Sequence, residues 1–318
     1  MQNKYIAEAN ESLLEAVQVN SLLCKLPPFG AKVYRFPNGH DRMYFTVEGK
    51  TATLYSGLTG YIDKFYSRPG EKAALINYQI KQGDHYEDEL EATSLFGSFG
   101  HAAIAQFITE GALDPVELMS DFRAYCLHTG LPIIRFPKLW RRMWKAMQSF
   151  AQFCADREVE ALATEYCVYD KNRMIATPLD LVCRMKFDKK TITANINFKF
   201  RENPNVYKKD QIQVFCETSM FNSRFSGTEY EVTHGFIWMP SDFRNAPTYH
   251  LKNVTEDYSD SLWEIDHKIL LMKGIHKPDL QEEYLSPNVG LLKLGEAPNP
   301  QKETVEQFCL RFAKPTSK

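Results

Sequence analysis

The sequence predicts an α/β (α+β) fold, with a mixed sheet flanked by helices and a mainly helical N-terminal extension. Three observations carry this. Apolar residues recur at helical spacing through most of residues 57–155. From about residue 158 the period changes to two, with three strand-like segments in succession. Beyond residue 207 helical and strand-like segments alternate, the pattern of a sheet covered by helices.

Residues 1–26 read as a helix, with Leu13, Leu14, Val17, Leu22 and Leu23 at roughly helical spacing, ended by Lys25-Leu26-Pro27-Pro28-Phe29-Gly30. Residues 33–36, 43–47 and 51–55 alternate apolar and polar residues around the turn signals Asn38-Gly39 and Glu48-Gly49, which predicts a small antiparallel sheet. Helices are predicted at 60–65, 73–81, 95–110, 116–129 and 138–156, the later ones separated by Gly130, Pro132 and Pro137. Strands follow at 159–169, 173–185 and 190–200, then a helix at 207–224, strands near 232–239 and 247–252, and a helix at 257–273. The segment from 277, rich in Pro, Asn and Gly, reads as a surface-wrapping tail with a last short helix near 302–312. Three regions result: 1–156, helical with the small sheet; 157–275, the core; and 276–318, the tail.

Length and composition set bounds. The chain has 318 residues, enough for one large domain or two small ones. The formal net charge of -2 means that a nucleic-acid site has to be a local basic groove. No apolar run is long enough to cross a bilayer, and the start lacks a signal-peptide pattern. A cytoplasmic protein with no membrane partner is expected. The seven cysteines are scattered with no C-x-x-C pair, so reduced thiols, mostly buried, are expected, with neither structural zinc nor an iron–sulfur cluster. There is no phosphate-binding Gly-Lys-Ser/Thr loop, so no nucleotide is expected.

The strand at 190–200 carries the clearest local geometry. Alternation puts Ile192, Ala194, Ile196, Phe198 and Phe200 on one face and Thr193, Asn195, Asn197 and Lys199 on the other. Asn197 and Lys199 therefore share a face, and Asp180, placed late in the preceding strand, reaches it if the two strands form a hairpin. Taken alone, the same pattern describes a strand with one solvated face.

In order along the chain stand His101 in Gly97-Ser98-Phe99-Gly100-His101, Glu165, Asp180 in Ala176-Thr177-Pro178-Leu179-Asp180, Asn197-Phe198-Lys199, and Gln211 in Gln211-Ile212-Gln213-Val214-Phe215. Upstream lies Ser56-Gly57-Leu58-Thr59. This series resembles the RecB-like, phage-type exonuclease branch of the PD-(D/E)XK nuclease superfamily, over about residues 40–275. The resemblance implies a restriction-endonuclease-like core and metal-dependent hydrolysis of DNA in replication, recombination or repair. It implies Mg²⁺ or Mn²⁺ held by Asp180, His101 and the Asn197 position, with the Phe198 carbonyl as a further ligand. It also implies that Glu165 binds the metal or its water, that Lys199 holds the attacking water or the transition-state charge, and that Gln211 orients Lys199 or a phosphate. Singly, each residue also reads as an ordinary core histidine, strand-end carboxylate, strand lysine or helix-surface amide.

Four positions depart from the pattern. Asn197 stands where such enzymes carry Asp or Glu, Ala176 where the turn has Gly, Ala105 where an acid often follows the histidine, and Phe215 where the helix motif has Tyr. A carboxylate supplied from Glu202 or Glu217 is one conceivable replacement for that missing at 197. The amide at 197 also opens a second reading: an impaired relative acting as a DNA-binding or assembly component, with replication or virion partners.

Lys138-Leu139-Trp140-Arg141-Arg142-Met143-Trp144-Lys145 interleaves cations with two indoles. It reads either as a DNA groove with stacking platforms or as an amphipathic helix with Leu139, Met143 and Met147 turned to the core. Arg201 and Lys208 are further candidate phosphate contacts, with solvated turns as the alternative.

Overall fold

The computed structural model describes residues 17–18, 23–35, 43–48, 51–66, 76, 79–80, 83, 86–129, 135–201, 204–277 and 284–285. Among these, ten strands form one mixed sheet: β1 Val17–Gln18, β2 Val33–Arg35, β3 Met43–Glu48, β4 Thr51–Gly57, β5 Glu160–Asp170, β6 Ile175–Phe187, β7 Lys190–Phe198, β8 His234–Pro240, β9 Tyr249–Asn253 and β10 Tyr284–Leu285. Six helices accompany it: α1 Leu58–Phe65, α2 Tyr86–Glu110, α3 Pro115–Thr129, α4 Phe136–Arg157, α5 Lys208–Phe225 and α6 Asp260–Met272. None is long and apolar enough to cross a membrane.

Helices cover both faces of the sheet. On one side α2, α3 and α4 bring Phe99, Phe122, Met143, Phe150 and Phe153 onto Leu181, Cys183, Ala194, Ile196, Phe198 and Trp238. On the other, α1, α5 and α6 bring Tyr61, Ile62, Cys216, Phe221 and Trp263 onto Leu162, Val168, Leu179 and Val182. The faces of β7 follow the alternation in its sequence, with Ala194, Ile196 and Phe198 in the first cluster and Asn195 and Asn197 turned toward α5. The largest fully buried side chains are aromatic, among them Phe99, Phe122, Phe150, Phe153, Tyr61, Phe221, Trp238 and Trp263.

β5, β6 and β7 form an antiparallel meander. β8 then returns parallel to β7, the connection that needs a crossover helix, here α5. The N-terminal strands β2, β3 and β4 pair antiparallel as the sequence suggests, but they are part of the main sheet. β4 runs parallel to the start of β6, pairing Ser56 with Ile175 and Gly57 with Ala176, and so joins β2, β3 and β4 to the main sheet. Val17–Gln18 is a strand paired with β2 and not part of a helix. The predicted helix over 1–26 otherwise falls mainly on residues outside those described, as do most of 73–81, Glu202 and the segment near 302–312. The six described cysteines are free thiols: Cys126, Cys183 and Cys216 are buried, Cys154 and Cys167 partly buried, and Cys24 exposed.

One consequence of this arrangement positions the site. β5 lies along one edge of β6 for nearly its whole length. The other edge is shared by β4 at residues 175–176 and by β7 from 181 onward. Thr177-Pro178-Leu179-Asp180 faces the interval between them, and Pro178 cannot donate to a ladder in any case. The strands of the sheet part there.

Gly100 in α2 lies under the Phe200 ring, and a Cβ at that position would meet the ring well inside van der Waals contact. Phe200 in turn packs beside His101, with ring centroids 5.6 Å apart. Gly100→Ala is therefore expected to destabilise the protein by about 1–3 kcal/mol through overpacking, as read by denaturant unfolding. An unchanged midpoint would show that Phe200 yields freely.

Candidate metal centre

Three ligand-type side chains converge at the parting of the strands. The ligand atoms of His101, Glu165 and Asp180 all lie within 4.8 Å of one another. His101 Nδ1 is 3.3 Å from Asp180 Oδ1 and 3.9 Å from Glu165 Oε1. A group of one imidazole and two carboxylates, mostly shielded from water, could hold a metal ion.

The local backbone explains how both carboxylates reach one point. Pairing of β5 with β6 runs Thr164–Leu181 and then Tyr166–Leu179, leaving Glu165 and Asp180 between. Ala163 and Tyr166 belong to the same apolar cluster, as do Val182 and Leu179. Each pair is three residues apart, so strict alternation shifts phase once in each strand. Glu165 absorbs the shift with φ 51°, a left-handed conformation that costs a non-glycine residue on the order of 1–3 kcal/mol. The strain is local to the candidate site.

Asp180 is held from the other side as well. Its Oδ2 accepts a 2.7 Å hydrogen bond from the Phe198 backbone N–H. Asp180 lies before the middle of β6 and not late in it; the antiparallel sense of the hairpin brings it opposite the end of β7. Beyond that point β7 continues with β8 alone, Lys199 N–H donating to the Trp238 carbonyl at 3.0 Å.

The α5 side of the parting holds a polar network. Glu217, fully buried, accepts from Asn197 Nδ2 at 3.3 Å, from Asn195 Nδ2 at 3.3 Å and from Gln213 Nε2 at 2.7 Å. Gln213 Oε1 accepts from Lys199 Nζ at 3.0 Å. Lys199 is also 3.7 Å from Asp210, which pairs with Arg201 at 2.7 Å. The Oδ1 atoms of Asn195 and Asn197 are buried without a hydrogen-bond partner, unusual for buried acceptors.

The electrostatics follow from these contacts. Burial works against a charge on His101, but the neighbouring Asp180 and Glu165 outweigh it and hold the imidazole up at about 9. Burial would raise Asp180; the charges of His101 and Lys199 and the Phe198 N–H instead keep it below 3.8. Burial, reinforced by the charge of Asp180, pushes Glu217 up to about 8 against the hydrogen bond from Gln213 and the charge of Lys199.

The structure thus brings together His101, Glu165, Asp180, Asn197 and Lys199, but not Gln211. Gln211 Nε2 bonds Asp257 at 2.6 Å on the outer side of α5. Two residues along a helix turn the side chain by about 200°, and it is Gln213 that faces Lys199. One turn later on that face stands Glu217. Gln213 and Glu217 are therefore the α5 residues that face this network, a pair that sequence reading missed and that the burial phase of α5 reveals. Arg201 reaches Asp210 and stacks over Tyr207, while Lys208 bonds the Asp257 carbonyl. On α4, Trp140 and Trp144 are stacked with centroids 5.9 Å apart. With Met119, Phe136, Arg141 and Lys145 they line an open groove of about 540 Å³. Leu139, Met143 and Met147 of the same helix are buried, so the helix is amphipathic and also presents its indoles. Lys145 is paired with Asp242, and Arg142 lies over Phe96.

No protein-family model matches the chain, and no curated protein matches it significantly.

His101 lies above its ordinary 6.5, so its contribution to stability is full below pH 6.5 and is lost as pH rises through about 9. Asp180 lies below its ordinary value, so its contribution is present above pH 3.8 and is lost as pH falls. Glu217, raised, adds a contribution that is full below pH 4.5 and is lost as pH rises from there through about 8. In metal-free protein, thermal unfolding from pH 4 to 10 should show His101→Gln costing about 2 kcal/mol near pH 6 after allowance for screening. That deficit should shrink toward zero by about pH 10. Parallel curves for variant and wild type above pH 6.5 would contradict the pairing.

Proposed function

We propose that the chain is a metal-dependent DNA exonuclease-like protein of the PD-(D/E)XK kind, with a restriction-endonuclease-like core in β5–β8 and α5. The observation that carries this reading is the convergence of His101, Glu165 and Asp180, with Asp180 anchored to the strand that delivers Lys199. The order of the core elements agrees with it: an antiparallel three-strand meander, a helix, and a strand parallel to the third. So does the junction of β4 with α1, where Ser56-Gly57 borders the parting of the strands.

The residues fit a hard divalent cation. Asp180, Glu165 and His101 would hold Mg²⁺ or Mn²⁺, and the unpartnered Oδ1 of Asn197 supplies a neutral oxygen where such sites carry a carboxylate. When bound, such a cation supplies Lewis-acid polarisation of a phosphodiester and a lowered pKa for an attacking water. Lys199, steadied by Gln213, is a cation placed to stabilise developing negative charge. Burial of the cluster limits competing water and strengthens these interactions. The groove at Trp140 and Trp144 offers ring faces for unpaired bases, with Arg141 for phosphate.

A second reading is favoured by Asn197 itself. With an amide at that position the site has one negative charge fewer than its counterparts, and the protein would then act as an impaired, DNA-binding or assembly relative. The two readings divide on one experiment. With Mn²⁺ the purified chain should degrade linear DNA, and Asp180→Ala should lower the rate by at least about 10³-fold. Binding of single-stranded DNA without degradation would support the second reading. Trp140→Ala with Trp144→Ala should weaken single-strand binding by about 10-fold or more, from the loss of one or two stacked bases. Unchanged binding, measured by fluorescence anisotropy, would leave the groove as packing only.

A further inference from the structure

We propose that Glu217 is the positioning residue of this centre and that positions 197 and 217 form a coupled acid–amide pair. The inference rests on the reading of the site given above. Asn197 is too short and too buried to choose its orientation by solvation. Its Nδ2 is held by Glu217, with oxygens at 3.3 and 3.4 Å, which turns Oδ1 away from α5 and leaves it without a partner. The same carboxyl group receives Gln213 at 2.7 Å, and Gln213 receives Lys199 at 3.0 Å. One side chain on α5 thus fixes both the amide at the ligand position and, through one intermediate, the lysine.

Three amide donors converge on Glu217, from Asn195, Asn197 and Gln213. Carboxyl oxygens facing amide donors suit that environment, and an acceptor in place of the Asn197 N–H does not. Two carboxyl groups would face each other across about 3.3 Å of buried space, an arrangement that cannot carry both charges. This changes the meaning of the most obvious variant. Asn197→Asp restores the carboxylate of the family pattern but opposes it to Glu217. The acid missing from β7 has its counterpart on α5, so the two positions have to be exchanged together.

The test is a double-mutant cycle on the full-length protein, with Asn197→Asp, Glu217→Gln and the pair combined. Thermal unfolding without metal and Mn²⁺ binding by titration calorimetry are measured for each, with Asp180→Ala as the control. Each single variant should melt several degrees below wild type. The combined variant should recover most of that loss, because Asp at 197 then accepts from Gln at 217. Glu217→Gln alone leaves one acceptor oxygen for the three amide donors and should weaken Mn²⁺ about 10–100-fold by loosening Asn197, and the combined variant should bind Mn²⁺ at least about tenfold more tightly than Asn197→Asp. If Asn197→Asp is insoluble, recovery of soluble protein by the second substitution is the same result. Additive losses in melting temperature, or a combined variant no better than Asn197→Asp, would overturn the pairing. Coupled melting with no Mn²⁺ binding in any variant would retain the pair and overturn the metal reading. Mn²⁺ binding that depends on Asp180, with additive melting, would do the reverse.

Discussion

The hydrogen bond from Phe198 N–H to Asp180 Oδ2 replaces a ladder bond at the point where β7 leaves β6. A buried backbone donor has to find an acceptor, and here a side chain provides it. That substitution lets the strands part without stranding the donor, and it pins a carboxylate inside the opening. His101 then reaches the same carboxylate from α2. Residues on α5 approach from the opposite layer through Asn197 and Lys199. His101 and the end of β7 both meet at this one anchored acid.

The surrounding fold is built to hold the opening. β5 spans it along the far edge of β6, β8 carries β7 onward, and two pairs of residues from β4 close its other end. The aromatic packing of Phe198 and Phe200 beside His101, with ring centroids 5.7 and 5.6 Å away, limits where the imidazole can go. Glu165 accommodates the change of strand phase at the cost of a left-handed backbone. Strain and an unpaired amide oxygen in one neighbourhood are features that surroundings must sustain, and a functional site is where such features collect.

Much of this was legible in the sequence, for identifiable reasons. The change of period near residue 158 marks the three successive strands, because buried strands and amphipathic helices impose different spacings. The shared face of Asn195 and Asn197 followed from alternation alone. Two things were not legible. The union of β4 with β6 is a long-range pairing of two residue pairs that no local pattern encodes. The phase of α5 was misjudged because Gln211 and Gln213 are equally polar; only the packing of Ile212, Cys216 and Phe221 against the sheet decides which glutamine faces inward. The phase shift at Glu165 was likewise hidden, since nothing in Thr164-Glu165-Tyr166 announces a positive φ as a glycine would.

A continuous β-sheet ordinarily acts as a partition, so that what happens in the helices on one side reaches the other only through small adjustments of the strands. In this chain the partition has an aperture lined by polar groups. His101, rooted in α2, and Glu217, rooted in α5, both feel the charge of Asp180 within it. Substitutions in opposite layers that reach this aperture should therefore fail to behave independently, so that its two helical coats respond as one.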